Sequence, residues 1–224
     1  MLIGGIDEAG RGPIIGPLIV AGVCMRNEDV DAIVRLGVKD SKKLTPTTRL
    51  RLLPEILSRA QRIVVECIPP SLIDKYTSSS IRGGLNTLEA MIIALIISKL
   101  NAKTIFIDTP DIKPQRFKEV ILSILRNDYN IDNVDIVVSH HADVQFPIVS
   151  IASVIAKVFR DSFIHELHSF YGDFGSGYPS DKKTLSFIEK CLRKGSLPPI
   201  IRSKWSTLKK FKKTSSLTLD DFLR

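Results

Sequence analysis

Apolar segments of two kinds alternate along this chain, and their spacing predicts its secondary structure. Short, nearly continuous apolar segments predict strands at residues 2–7, 17–25, 62–68, 104–108 and 134–139. Apolar residues at helical spacing predict helices at residues 47–59, 86–100, 115–126, 150–170 and 181–194. Three strands close together, followed by alternating helices and strands, predict an α/β fold. We expect a mixed sheet with helices on its faces and a small helical extension in the C-terminal third.

The first predicted strand ends on two acids and a glycine-flanked arginine, in the sequence IDEAGRG at residues 6–12. Successive side chains of a strand point to opposite faces, so Asp7 and Glu8 diverge while the chain stays extended. Glycine lets the backbone turn sharply and approach a ligand closely. Carboxylates beside exposed amides and an arginine suit a metal ion and a phosphate held together. An acidic strand end in a surface turn explains the same residues, and the segment alone leaves both interpretations open.

Acidic residues close or follow several of the apolar segments. The residues concerned are Asp7, Glu8, Asp108 and Asp143. Strand ends are where α/β proteins usually build ligand sites. Carboxylates brought together there repel each other unless cations neutralise them, and Mg²⁺ and Mn²⁺ prefer oxygen ligands. The pattern therefore indicates a metal site, on the condition that these acids meet in space. Asp111 is a further acid nearby, and we prefer Asp108 because it directly ends the apolar strand.

Composition and charge favour a polyanionic partner. The chain has 224 residues, of which 44% are hydrophobic and 25% charged, enough for one large domain or one domain with a small appendage. Its net charge of +8 suits nucleic acid, although many basic proteins bind none. Basic residues are dense at positions 202–213, which makes this run a candidate for gripping a nucleic-acid backbone.

The cysteines and the apolar segments indicate the compartment. Cys24, Cys67 and Cys191 are widely spaced and odd in number, so they outline neither a zinc site nor a disulfide framework, and we expect them to be buried and reduced. No signal peptide is visible, and the most apolar run, residues 91–97, is far shorter than the roughly 20 residues of a membrane span. We therefore expect a soluble, cytoplasmic protein.

Six segments together carry a specific resemblance. They are GIDEAGRGPIIGPLIVAGV at 5–23, KDSKKLTP at 39–46, LNTLEA at 85–90, FIDTPD at 106–111, HHADVQFPIVSIASVIAKVFRD at 140–161 and GSGYPSD at 175–181. In this order, and over nearly the whole chain, they resemble the type 2 ribonucleases H (ribonuclease HII), in an archaeal-like layout. The first and fifth segments are the most specific.

The resemblance implies both a fold and an activity. The fold is ribonuclease H-like, with a five-stranded mixed sheet in a catalytic domain at 1–172, a helical, basic extension at 173–213 and a tail at 214–224. The activity is hydrolysis of the RNA strand of RNA–DNA hybrids, and incision of duplex DNA 5′ to embedded ribonucleotides, giving 3′-hydroxyl and 5′-phosphate ends. The catalytic acids, which hold two divalent ions, Mg²⁺ or Mn²⁺, correspond to Asp7, Glu8, Asp108 and Asp143.

The resemblance also implies contacts with the substrate. The loop that recognises the ribonucleotide through its backbone corresponds to Gly10, Arg11 and Gly12. Tyr178 resembles the tyrosine that stacks on the following deoxyribose and binds the 2′-hydroxyl. Candidate phosphate contacts are Lys42, Lys43 and Asn86. A solvated surface position explains either lysine equally well. Lys157 and Arg160, one helical turn apart, face either nucleic acid or solvent.

The C-terminal tail resembles the short helical motif that docks replication and repair enzymes on the sliding clamp. Its candidate contacts are Ser216, Leu219, Phe222 and Leu223. The spacing of the three apolar residues places them on one face of a helical turn. Ser216 replaces the usual glutamine and Leu223 the second aromatic residue. A short amphipathic end that packs on its own domain remains the alternative.

Two function classes stay open at this point. One is a metal-dependent endoribonuclease, and the other is a non-catalytic nucleic-acid-binding protein with the same fold. The four acids favour the first, because a pure binder of phosphates gains nothing from unneutralised carboxylates. Nothing in the sequence indicates an obligate partner subunit, so we expect a monomer.

Overall fold

A five-stranded sheet forms the centre of the computed structural model, which describes residues 1–38, 44–78, 81 and 83–208. The strands are β1 (Leu2–Ala9), β2 (Leu18–Arg26), β3 (Arg62–Ile68), β4 (Thr104–Asp108) and β5 (Asp135–Ser139). Their order across the sheet is β3-β2-β1-β4-β5, with β2 antiparallel to both of its neighbours and β1, β4 and β5 mutually parallel. The predicted mixed, five-stranded sheet is confirmed.

Helices follow the strands, and the predicted ones are all present. The helices are α1 (Asn27–Arg35), α2 (Pro46–Arg59), α3 (Pro70–Thr77), α4 (Gly84–Leu100), α5 (Pro114–Tyr129), α6 (Ala142–Gln145), α7 (Pro147–Tyr171) and α8 (Lys182–Arg193). The short helices α1, α3 and α6 were not predicted. Pro70 begins α3, because a missing backbone N–H does no harm at the first position of a helix.

Alternating side chains of the central strands feed two apolar cores, one on each face of the sheet. One core contains Ile6, Val20 and Ile107 together with buried residues of α4 and α5. The other contains Ile19, Ala21 and buried residues of α1, α2 and α7. The period of two along each strand decides which face a residue serves. Both cores pack against β1 and therefore hold in place the strand that carries Asp7 and Glu8.

A third apolar cluster joins the C-terminal extension to the loop between β1 and β2. Its buried members are Ile14, Ile15, Ile164, Phe174, Ile188, Ile200, Ile201 and Leu208. Backbone bonds reinforce it, since the Ile14 amide donates to the Gly177 carbonyl (2.8 Å) and the Gly16 amide to the Ile200 carbonyl (2.9 Å). The loop after the acids is thus held by the far end of the chain. The division of domains at residue 172 stays a prediction.

Two expectations about the chain as a whole have outcomes here. Cys24 is buried and Cys191 half-buried, but the expectation of buried thiols was wrong for Cys67, which is exposed on the edge strand β3. Within the described ranges, no helix is both long enough and apolar enough to cross a membrane.

Gly5 marks the closest approach of β1 to α7, and its replacement tests this packing. A Cβ at Gly5 would lie 2.3 Å from the carbonyl oxygen of Ile148, a backbone atom that a rotamer change does not move. Gly5→Ala is therefore expected to lower the free energy of unfolding by about 3 kcal/mol in urea titrations.

Gly4→Ala is the matched control in the same strand. A Cβ at Gly4 would lie 3.1 Å from Cγ1 of Ile105, a side-chain atom that can shift by a few tenths of an ångström. Its expected loss is under about 1 kcal/mol. Equal losses for the two variants would contradict the assignment of Gly5 as the tight contact.

Candidate active site

Parallel pairing brings the predicted acids to one edge of the sheet. Ile6 of β1 pairs with Ile107 of β4, so the next residue of each strand, Asp7 and Asp108, lies beside the other where the pairing of β1 with β4 ends. Glu8 follows Asp7 directly. The Asp108 carboxylate accepts a bond from the Ala142 amide (3.0 Å), which draws the start of α6 to the same edge. Asp143 is the next residue after Ala142 and is 1% exposed.

Burial and like charge act together on the acids of β1. Asp7 is 5% exposed, and its burial raises the pKa of its carboxyl group against the opposing effects of Lys157 and Ser153. The pKa of Glu8 is raised well above its usual value, first by burial and then by the charges of Asp7, Glu89 and Asp108. Ionisation of each acid is therefore unfavourable while the others are charged and no cation is added.

This donor set fits a divalent cation by its chemistry. Within the described residues, no three carboxylate, imidazole or thiol groups already stand close enough to enclose an ion. Lys157 lowers the pKa of Asp7 and Arg11 lowers that of Glu8, yet both pKa values remain raised. These two cations therefore do not offset the burial of the acids, and the available ligands are the carboxylate oxygens that Mg²⁺ and Mn²⁺ prefer.

The glycine-flanked turn follows the acids and lies against Tyr178. Gly10 has φ +89°, and a Cβ there would meet the Pro17 carbonyl oxygen at 2.7 Å and Cδ of Arg160 at 2.8 Å, so only glycine fits. A Cβ built on Gly12 would lie 3.7 Å from Cε1 of Tyr178. The structure therefore brings the predicted loop and the predicted tyrosine together beside Glu8.

A chain of polar contacts holds the Arg11 side chain. Its Nε donates to Oε1 of Glu89 (2.9 Å) and its Nη2 to Oδ1 of Asn86 (2.7 Å). The Asn86 amide donates in turn to Asp111 (3.1 Å), whose two carboxylate oxygens are both bound by Arg116 at 2.7 Å. Asn86, predicted as a phosphate contact, thus binds other side chains of the protein. Arg116 neutralises Asp111, which favours Asp108 as the site acid.

A cavity of about 340 Å³ opens beside the acids and the loop. Its lining consists of Glu8, Ala9, Gly10, Arg11, Gly12, Arg49, Lys157, Arg160, Asp161 and Tyr178. The Arg160 guanidinium lies 5.2 Å over the Tyr178 ring and donates to the Ser176 carbonyl (3.1 Å). Lys157 and Arg160 therefore face the site rather than open solvent. Cations on one wall and carboxylates on the other suit a phosphate bound together with metal.

Some predicted residues lie elsewhere. Lys42 and Lys43, and the tail residues Ser216, Leu219, Phe222 and Leu223, are outside the described residues. The expectation that the run 202–213 grips nucleic acid was wrong for Arg202, which is fully buried and donates to carbonyl groups of the loop.

Glu89, Arg202 and Trp205 were missed as parts of the site. The only signal for Glu89 was an acid inside an otherwise apolar helix. Arg202 and Trp205 stand in a basic segment, and their charge pattern suggested a surface.

Comparisons with known proteins agree with this geometry. The sequence profile of "Ribonuclease HII" matches residues 4–208. The ribonuclease HII of Caldivirga maquilingensis is 44% identical over 207 residues, covering 92% of each chain. That of Pyrococcus abyssi is 41% identical over 230 residues, covering 100% of this chain and 98% of the relative.

Two solved structures are similar over nearly their whole length. The crystal structure of ribonuclease H2 from Pyrococcus horikoshii has a TM-score of 0.84 and 35% identity, covering 96% of this chain and 98% of that one. A structure of the PCNA–ribonuclease HII complex from Archaeoglobus fulgidus has a TM-score of 0.81 and 35% identity, covering 99% and 100%. Motifs, fold and sequence similarity agree from one end of the sheet to the C-terminal extension: this chain belongs to the ribonuclease HII family.

Proposed function

We propose that this member of the ribonuclease HII family, a metal-dependent endoribonuclease of RNA–DNA hybrids, also incises duplex DNA 5′ to embedded ribonucleotides. The reaction would leave 3′-hydroxyl and 5′-phosphate ends. The observation that carries the proposal is the meeting of Asp7 and Asp108 at one sheet edge, next to the glycine loop and Tyr178. This arrangement supports a catalytic centre at the acids, with the glycine loop and Tyr178 beside it to recognise the ribose.

The four acids are proposed as the catalytic, metal-binding residues. Asp7, Glu8, Asp108 and Asp143 would hold two divalent ions, Mg²⁺ or Mn²⁺. When bound, such ions supply activation of the attacking water and stabilise the charge that develops on the phosphate oxygens. Burial of Asp7 and Asp143 excludes water from the side of the acids that faces the core. Lys157 lies near Asp7 and holds positive charge beside it.

The substrate is proposed to lie over the loop and Tyr178. Backbone amides of Gly10, Arg11 and Gly12 would contact the ribose 2′-hydroxyl and adjacent phosphates, which a side chain at Gly10 would prevent. Tyr178 is 39% exposed and its ring is available for stacking on a sugar. Lys42 and Lys43 remain proposals as phosphate contacts. Asn86 would act through Arg11 instead.

The compartment and the oligomeric state are also proposals, and the alternative function is assessed beside them. The free cysteines among the described residues support a reducing compartment, and we place the enzyme in the cytoplasm. We propose that it acts as a monomer. A non-catalytic nucleic-acid binder is disfavoured, because buried, mutually repelling carboxylates beside a phosphate weaken binding unless metal neutralises them.

Replacing Asp7 separates cleavage from binding. Asp7→Asn keeps the shape of the side chain but removes a charged metal ligand, so cleavage of a duplex bearing one ribonucleotide is expected to fall about 1000-fold or more in Mg²⁺. Affinity for the uncut duplex should persist, because the basic wall remains. Single-turnover cleavage and fluorescence anisotropy measure the two quantities.

Asp135→Asn makes the same chemical change at the opposite end of the sheet, where β5 begins. Its activity should equal that of the unaltered enzyme. Wild-type protein that leaves the duplex intact in both Mg²⁺ and Mn²⁺ would refute the nuclease, and full activity of Asp7→Asn would refute the metal role of Asp7.

Tyr178→Phe tests recognition of the ribose. The variant keeps the ring over Arg160 and removes the hydroxyl, so kcat/KM on a duplex with a single ribonucleotide is expected to fall about tenfold. Tyr129→Phe, at the end of α5, is the control and should leave kcat/KM unchanged. An unchanged kcat/KM for Tyr178→Phe would remove its hydroxyl from the proposed contact.

The tail is proposed to bind a sliding clamp. Support comes from the motif at Ser216, Leu219, Phe222 and Leu223 and from the similarity to a ribonuclease HII solved in complex with PCNA. Phe222→Ala is expected to weaken binding to a PCNA clamp about tenfold or more in calorimetry, because it truncates the aromatic anchor. Ser215→Ala, just outside the motif, should bind normally. Equal affinities of both variants and the unaltered chain would contradict the docking role.

A further inference from the structure

Arg202 is 0% exposed and binds the loop that contains Gly10, Arg11 and Gly12, which we call the recognition loop. Its Nη2 donates to the carbonyl oxygens of Gly10 (2.6 Å) and Gly16 (3.0 Å), and its Nη1 donates to that of Arg11 (2.9 Å). Its Nε also donates to Gly16 (3.1 Å). One guanidinium therefore donates to three carbonyl groups of one loop. Its planar set of N–H donors suits this arrangement.

Trp205 binds the next carbonyl group of the same loop. Its Nε1 donates to the Gly12 carbonyl (3.1 Å), and its ring lies 4.9 Å from the Arg202 guanidinium. The loop residues on either side of Arg11 are thus both bound by the segment after α8. We call Arg202 and Trp205 the carbonyl clamp.

No ion pair explains the burial of this arginine. In the part of the chain that the structure describes, no carboxylate lies within ion-pair distance of Arg202. A buried cation is unfavourable unless polar groups surround it, and here backbone carbonyls fill that role. These carbonyls belong to the loop between β1 and β2. The buried guanidinium therefore keeps its hydrogen bonds only while the loop holds this conformation.

The clamp also determines where the loop amides point. In a trans peptide, the carbonyl of one residue and the N–H of the next point in opposite directions, and no described peptide bond is cis. Binding of the Gly10 and Arg11 carbonyls by Arg202 therefore turns the amides of Arg11 and Gly12 away from the extension. The peptide dipoles then present their positive ends on that outer side, as in preorganised anion sites.

We infer that Arg202 and Trp205 are positioning residues for ribonucleotide recognition: Arg202 holds the Gly10 and Arg11 carbonyls so that the amides of Arg11 and Gly12 face the substrate strand, and Trp205 fixes the Gly12 carbonyl that follows them. This inference rests on the proposed incision at embedded ribonucleotides. It assigns the C-terminal extension a part in specificity, whereas the basic wall of the cavity serves affinity for any phosphate backbone.

The test compares two duplexes of one sequence, one with a single ribonucleotide and one all DNA. The selectivity ratio is the affinity for the first divided by the affinity for the second, measured by anisotropy in EDTA with the full chain. Arg202→Lys keeps the charge but lacks the planar fork, and is expected to lower the ratio about tenfold. Trp205→Phe keeps an aromatic ring but loses the bond to Gly12 and part of the indole's packing, and is expected to lower the ratio about threefold.

A merely structural role would give a different result. Partial unfolding lowers the active fraction for both duplexes equally and leaves the selectivity ratio unchanged. Ile188→Val is the matched control, since Ile188 is buried in the same apolar cluster and belongs to α8. Its ratio, and its kcat/KM on the ribonucleotide duplex, should equal those of the unaltered chain.

The outcomes separate the inference from the function on which it rests. Wild-type chain that neither prefers nor cuts the ribonucleotide duplex in Mg²⁺ would overturn both. Suppose that the wild-type chain both prefers and cuts the ribonucleotide duplex, while Trp205→Phe keeps its selectivity ratio. This result would overturn the positioning role of the carbonyl clamp and leave the incision function standing. If Arg202→Lys fails to fold, Trp205→Phe decides, because it removes one hydrogen bond and keeps an aromatic side chain against the apolar cluster.

Discussion

Parallel pairing of β1 with β4 is the constraint on which the rest of the structure depends. It places Asp7 and Asp108 side by side where the two strands part, with Glu8 next in the chain. Burial first, and like charge second, disfavour ionisation of these acids, which raises the pKa values of Asp7 and Glu8. The fold opposes their separation by packing β1 between two apolar cores and directly against the backbone of α7 at Gly5. The acids are thus held close by interactions that do not involve them.

The glycine loop poses the opposite problem, because nothing in its own sequence makes it rigid. Gly10 has a conformation that only glycine adopts easily, and glycine loses more conformational entropy on ordering than other residues. Rigidity comes from distant parts of the chain. Glu89 and Asn86 hold the Arg11 side chain, and Arg202 holds the carbonyls of the turn. The acids and the loop are therefore stabilised by separate sets of contacts, which lets one be altered without the other.

The sequence predicted local features well and distant contacts poorly. All five strands and the long helices followed from apolar spacing, because burial on a sheet or helix imposes that period. The acids were singled out because they close or follow apolar strands. Arg202 was assigned to a basic run that grips nucleic acid, yet it binds the carbonyl of Arg11, which lies 191 positions earlier. A charge pattern records composition along the chain, and a contact of that length depends on the complete fold. Glu89, 78 positions from its partner Arg11, was missed for the same reason.

Cations of α2 and α7 stand beside the acids of the strands in this site, and that arrangement lets one cavity serve both binding and cleavage. Lys157 and Arg160 stand on α7, and Arg49 on α2, whereas Asp7 and Asp108 stand at the strand ends. Arg49 is bound to Asp161 at 2.9 Å and is thereby kept from folding onto the acids. A phosphate between the two groups meets cations on one side, and on the other side carboxylates that need added positive charge. A divalent ion held by these acids, as proposed, would then favour binding of the phosphate, and the bound phosphate would favour binding of the ion.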